Sequence, residues 1–172
     1  MIQKERIKSL NQRRVQKGKY VLYWMQASQR AEYNHALEFS ILKANELRQP
    51  LIVFFGITDQ FPEANERHYI FMLEGLKEVK DSLKNRGIQM VILHEPPQVG
   101  ALRLATRASL AVVDRGYLRI QRAWRDDASR KMECPLFQVE TDVIVPVEET
   151  SPKEEYAAAT IRSKLTDSRI IE

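Results

Sequence analysis

Apolar residues along this chain come in short unbroken runs, and between the runs they recur every three or four positions. The runs Tyr20–Met25, Leu51–Ile57, Gln89–Leu93, Leu110–Val113 and Leu136–Val139 show little polar alternation. That is the pattern of strands covered on both faces, which occur mainly in parallel sheets flanked by helices. Between them, Ala36, Leu37, Ser40, Ile41, Ala44 and Leu47 repeat at helical spacing until Pro50. Tyr69, Met72, Leu73, Leu76, Val79 and Leu83 form a longer stripe closed by Gly87. A short helix is expected over 101–108, after the Pro96-Pro97 turn. Another follows from Leu118, burying Ile120, Ala123, Trp124 and Ala128 and turning Arg119, Arg122, Arg125 and Arg130 outward. The whole predicts an α/β fold: a doubly wound, Rossmann-like, mostly parallel five-stranded sheet with right-handed crossovers and helices on both faces.

The same pattern divides the chain. Residues 1–18 read as a basic N-terminal arm or short helix, 19–147 as the α/β domain, and 148–172 as a linker-like tail with a last helix near 156–162. A length of 172 residues suits one hydrophobic core.

Composition changes this picture little. An apolar share of 44% and a charged share of 29% are those of an ordinary globular chain, and no apolar stretch is long enough for a bilayer, so no membrane partner is expected. The single cysteine, Cys134, makes no internal disulfide, and residues 1–6 lack the apolar core of a signal peptide, so a cytoplasmic location is expected. Cys134 itself reads as a small buried hydrophobe beside Pro135. A net charge of +4 permits phosphate binding without requiring it. Arg13, Arg14, Lys17 and Lys19 in the arm, and the arginines of the 119–130 helix, are two candidate phosphate or DNA faces, with a plain solvated surface as the alternative for each.

The usual signatures of catalysis and nucleotide binding are missing. No Gly-x-Gly-x-x-Gly follows the first strand, and no Gly-x-x-x-x-Gly-Lys-Ser/Thr or Gly-x-Ser-x-Gly occurs. His35, His68 and His94 are dispersed and offer no metal-ligand spacing; His68 reads as a surface or capping group. What the strand ends do carry is a polar and aromatic rim. Trp24, Met25, Gln26 and Arg30 follow the first strand, Thr58 and Asp59 the second, Asp114, Arg115 and Gly116 the fourth, and Glu140, Thr141 and Asp142 the fifth. In open α/β sheets the ligand crevice lies at these carboxyl ends. The rim suits a flat heteroaromatic ligand, while Trp24 and Met25 read equally well as core.

Tyr23-Trp24-Met25, Gln29-Arg30-Ala31-Glu32 and Asn34-His35-Ala36-Leu37 resemble the opening signature of class II cyclobutane-pyrimidine-dimer photolyases. Three later segments are similar in the same order: Phe71–Leu76, Leu118-Arg119-Ile120 with Trp124, and Glu155–Leu165. The resemblance spans Tyr20 to Leu165 and implies an amino-terminal antenna-chromophore domain of a deoxyribodipyrimidine photolyase. Such a domain holds a deazaflavin or folate and works with an FAD-binding helical domain that repairs pyrimidine dimers in damaged DNA. It also implies that FAD, the electron-transfer tryptophans and the dimer pocket belong to that other domain, so that no catalytic residue is assigned here and Trp24 and Trp124 have no electron-transfer role. A stand-alone binding or interaction module with the same sheet but no repair activity is the alternative; a nucleotide-binding domain of another family is a third reading. Self-association through a face left uncovered by the helical domain is a further expectation.

Overall fold

In the computed structural model, which describes residues 2–151 and 153–167, a 3-10 turn at Lys4–Arg6 leads into the short strand β1 (Ile7–Ser9). An irregular segment then reaches β2 (Tyr20–Trp24). Every residue of β2 is buried because successive side chains enter two different cores: Val21 and Tyr23 one, Leu22 and Trp24 the other. The chain continues through α1 (His35–Leu47), β3 (Leu51–Ile57), α2 (Glu66–Asn85), β4 (Gln89–His94), α3 (Pro97–Ala105), β5 (Ala108–Asp114), α4 (Arg119–Lys131) and β6 (Leu136–Val139). Two short helices, α5 (Val147–Thr150) and α6 (Ala158–Asp167), follow.

The strand order is β1-β6-β5-β2-β3-β4, parallel throughout except for β1, which runs antiparallel to β6. Helices α1 and α2 cover one face through Leu37, Phe39, Leu76, Val79 and Leu83. Helices α3 and α4 cover the other through Ala101, Ala105, Trp124 and Ala128. The winding reverses between the neighbours β2 and β5, where Trp24 stands opposite Val113, so the carboxyl ends of these two strands mark the switch point of a doubly wound sheet.

The sheet therefore has six strands where the apolar runs predict five. The extra one lies inside the expected arm. An edge strand of three residues, half exposed, needs no continuous apolar run, and Ile7 alone packs on the core. What holds it is Arg6, 5% exposed, whose guanidinium donates to the carbonyls of Val143 at 2.9 Å and Ile144 at 2.6 Å and to Gln3 Oε1 at 2.8 Å. Arg6→Ala is expected to lower stability by about 2 kcal/mol in urea unfolding, since it removes a buried guanidinium and all of these hydrogen bonds at once.

Two further differences have local causes. Helix α3 starts at Pro97, not 101, because proline is suited to the first helical position. In α4, Ala123 is exposed and Arg125 buried, the reverse of the periodicity. Arg125 Nη1 donates to the carbonyls of Gly116 at 2.7 Å and Gln121 at 3.4 Å, and burial lowers its pKa. Residues 143–146 are irregular and lead into α5 at Val147. At the start of α2, Asn65 and His68 form a reciprocal cap, His68 Nδ1 accepting from Asn65 N at 3.1 Å.

Candidate binding cleft at the switch point

Asp114, the last residue of β5, is 1% exposed. Its carboxylate accepts from the backbone N–H groups of Gln26, Ala27 and Ser28 at 2.8 to 3.2 Å, and from the Tyr23 hydroxyl at 3.2 Å. Burial pushes this carboxyl up to about 6 against the pull of the amide donors, and burial raises the Tyr23 hydroxyl well above its ordinary value. The carboxylate thus fixes the turn leaving β2. Asn34 completes the corner: its Oδ1 accepts from Leu37 N at 2.9 Å as the cap of α1, and its Nδ2 donates to the carbonyls of Ser28 and Arg30, both at 3.0 Å.

The same turn positions Gln26. Trp24 Nε1 donates to Gln26 Oε1 at 3.0 Å, while the Gln26 amide closes on Gly56 through Nε2 to the carbonyl at 2.9 Å and Oε1 from the N–H at 3.2 Å. Gly56 has to be glycine here for a second reason, because a Cβ would lie 2.6 Å from the Pro97 Cα at the start of α3.

Next to Gln26 a cleft of about 630 Å³ opens between the carboxyl end of β3, the first half of α2 and α4. Its walls are Phe55, Ile57, Phe61, Tyr69, Phe71, Met72 and Trp124, and its polar edges Gln26, Gln29, Thr58, His68 and Gln121. Phe61 and Trp124 meet with centroids 6.3 Å apart and planes at 55°. The Tyr69 hydroxyl donates to the Thr58 carbonyl at 2.7 Å and ties α2 to the loop after β3. Gly75 faces the space with nothing within 4 Å of the position its Cβ would take.

Of the rim residues read from the sequence, Gln26 and Thr58 line this cleft. Trp24, Asp114 and Gly116 lie behind its wall around a void of about 10 Å³, and Met25 is core. Arg30, Arg115, Glu140, Thr141 and Asp142 belong to a separate polar network. There Arg30 meets Asp142 at 2.8 Å and Arg115 meets Glu140 at 3.4 Å. Tyr117 donates to Glu140 at 2.5 Å, and Ala36 N donates to Thr141 Oγ1 at 3.1 Å. Asp59 pairs with His94 at 2.8 Å on the surface. Phe61, Tyr69, Phe71, Met72, Gly75 and Trp124 are among the cleft residues that strand-end reasoning misses. A signal for some of them exists in the sequence: Tyr69–Leu73 is apolar at every position, more than one buried helix stripe requires, and Ile70 and Phe71 are 50% and 79% exposed.

Chemically, the cleft offers apolar faces and fixed amide and hydroxyl edges. Among the described residues no His, Cys, Asp and Glu group together in a way that holds a metal ion. Cys134 is fully buried and burial pushes its thiol up to about 11, which makes it a poor nucleophile. No described helix is long and apolar enough to cross a membrane.

Residues 21–169 match the DNA photolyase family model. The deoxyribodipyrimidine photo-lyase of Methanothermobacter thermautotrophicus is 52% identical over 166 residues, 96% of this chain and 37% of that protein. That of Arabidopsis thaliana is 33% identical, over 84% of this chain and 30% of its own length. The chain thus spans about a third of the length of these relatives. Among solved structures, a universal stress protein from Pseudomonas aeruginosa superposes with a TM-score of 0.54 at 14% identity, covering 77% of this chain and 51% of its own; this likeness is one of fold alone.

Proposed function

The chain belongs to the DNA photolyase family, and from that membership together with the cleft we propose that it is the amino-terminal antenna domain of a class II deoxyribodipyrimidine photolyase. The observation that carries this reading is the character of the cleft: about 630 Å³, walled by Phe61, Tyr69, Phe71, Met72 and Trp124, with fixed polar edges and no acid–base pair. A volume of this order suits a tricyclic or pteridine-sized ligand. Gln26 and Thr58 are the edge groups. The Gln26 amide is already oriented by Trp24 and Gly56, and a ligand heteroatom at the cleft edge meets a polar group that needs no reordering. The aromatic and thioether side chains exclude water from the ligand faces.

A deazaflavin or folate bound there would absorb light and pass excitation to FAD. That task requires position and orientation only, and the chain's residues supply those. On this reading residues 148–172 lead toward an FAD-binding helical domain, and repair of dimers in DNA takes place there. The class II assignment rests on the Tyr23–Leu37 signature, whose residues build the corner behind the cleft.

Titration of the chain with a deazaflavin, followed by visible absorption, is expected to show saturable binding with a shifted spectrum, and a parallel folate titration distinguishes the two ligands. Absence of binding by either at about 50 µM, where even a ligand of micromolar affinity saturates, would remove the antenna reading.

A further inference from the structure

The segment between β1 and β2 does not leave the domain as an arm. It crosses the amino-terminal end of the sheet as a strap, opposite the cleft. Asn11 Nδ2 donates to the Cys134 carbonyl at 3.1 Å and its Oδ1 accepts from Leu136 N at 3.2 Å; Gln16 Nε2 donates to the Ala108 carbonyl at 2.8 Å, and Lys19 N to the Arg107 carbonyl at 2.7 Å. Gly18 lies flat against β5, where a Cβ would come within 2.3 Å of Ser109 N. Gln49 Nε2 donates to the Gly18 carbonyl at 3.0 Å and brings the end of α1 alongside.

Held in this way, the strap and the turns beside it present Arg13, Arg14, Lys17, Lys19, Arg48 and Arg107, all exposed. Among the described residues none of these cations has an ion-pair partner, although Lys8, Arg30, Lys43, Arg86, Arg103 and Arg115 elsewhere do. Glu133, next to Cys134, is an exposed carboxylate at this end that has no ion-pair partner among the described residues. Like charges fixed on one face repel each other at low salt, and an anion with repeated charges relieves that repulsion.

We propose that this strap is a docking track for the phosphodiester backbone of DNA, a contact separate from the cleft and at the other end of the sheet. Arginine predominates in the cluster, and its fork matches phosphate oxygens in two-point contacts. The apolar content of the strap is Val15 alone among exposed large side chains, so it has no wedge for inserting into a lipid surface. The proposal depends on the photolyase reading only for the choice of DNA as the polyanion.

The test is anisotropy of a labelled DNA duplex with this chain between about 50 and 200 mM salt, with the variant Arg13→Gln/Arg14→Gln/Lys17→Gln/Lys19→Gln. Wild type is expected to show a log–log salt slope of about −3 to −4, the value for four phosphate contacts, and the variant a slope near zero with binding at least about tenfold weaker at 50 mM. The strap's anchors, Asn11 and Gln16, are retained, and circular dichroism checks the fold. Should the quadruple variant unfold, the two double variants are expected to lower the slope by about 2 each. Arg119→Gln/Arg122→Gln on α4 is expected to behave as wild type. An unchanged slope in the strap variants, loss of binding in the α4 variant instead, or anionic vesicles bound in place of the duplex would each overturn the proposal. Deazaflavin binding, measured on the same variants, reports on the cleft independently.

Discussion

Asp114→Ala is expected to cost about 3–5 kcal/mol of stability, read as a lower urea midpoint at unchanged slope, because it strips the acceptor from three backbone donors at once. Gln26, Ala27 and Ser28 all point their N–H groups at this one carboxylate, and the Tyr23 hydroxyl joins them. The turn that carries Gln26 and Ala27 also walls the cleft, and a weaker turn is expected to reduce ligand affinity about tenfold, roughly 1.4 kcal/mol.

The pH dependence of that difference has a definite sign. Asp114 stands at about 6 in the folded protein because burial outweighs the amide donors, against roughly 3.9 in an unfolded chain. The native state therefore binds this proton more tightly, and the group's contribution is fully present below about pH 4 and lost as the pH rises through about 6. Two units amount to about 3 kcal/mol. The gap between wild type and Asp114→Ala is expected to widen by about that much from pH 7 to pH 4. A gap that stays level would show that the three amides hold the carboxyl near its ordinary value.

The parts of this structure that repeat were legible in the sequence, and the parts that depend on one contact were not. Strand β2 reads as doubly covered because every position is apolar, and both cores do cover it. The Gly87 stop falls where local backbone chemistry demands it. By contrast β1 is held by Arg6, whose acceptors lie more than 130 positions away, and no local pattern announces such a bond. Helix α4 presents the same difficulty in another form, since Arg125 is buried where its guanidinium meets the Gly116 carbonyl.

The site divides along the same line. Strand-end geometry leads to the corner beside the cleft, and Gln26 and Thr58 line it. Side-chain direction is not contained in that geometry. Asp114 turns inward to hold backbone, while Arg115 turns to Glu140 and Asp142 to Arg30. The opposite wall comes from α2, where Phe71 and Met72 look like surplus apolar surface until the loop after β3 is placed beside them.

Gly75 makes that wall testable. It lies one turn beyond Phe71 and Met72, with no atom within 4 Å of its missing Cβ, so a large side chain there enters the cleft without striking the backbone. Gly75→Trp is expected to lower deazaflavin affinity by at least about a hundredfold, near 3 kcal/mol, because the indole takes the volume the ligand needs. Gly75→Ala separates occupancy from stability. Alanine in an exposed helix interior is favoured over glycine by about 0.8–1 kcal/mol, so this variant is expected to melt higher and still bind. Loss of binding in the tryptophan variant alone locates the ligand against α2. Equal binding by both variants would place the ligand elsewhere, and the aromatic surface of Phe71 and Tyr69 would then need a different occupant.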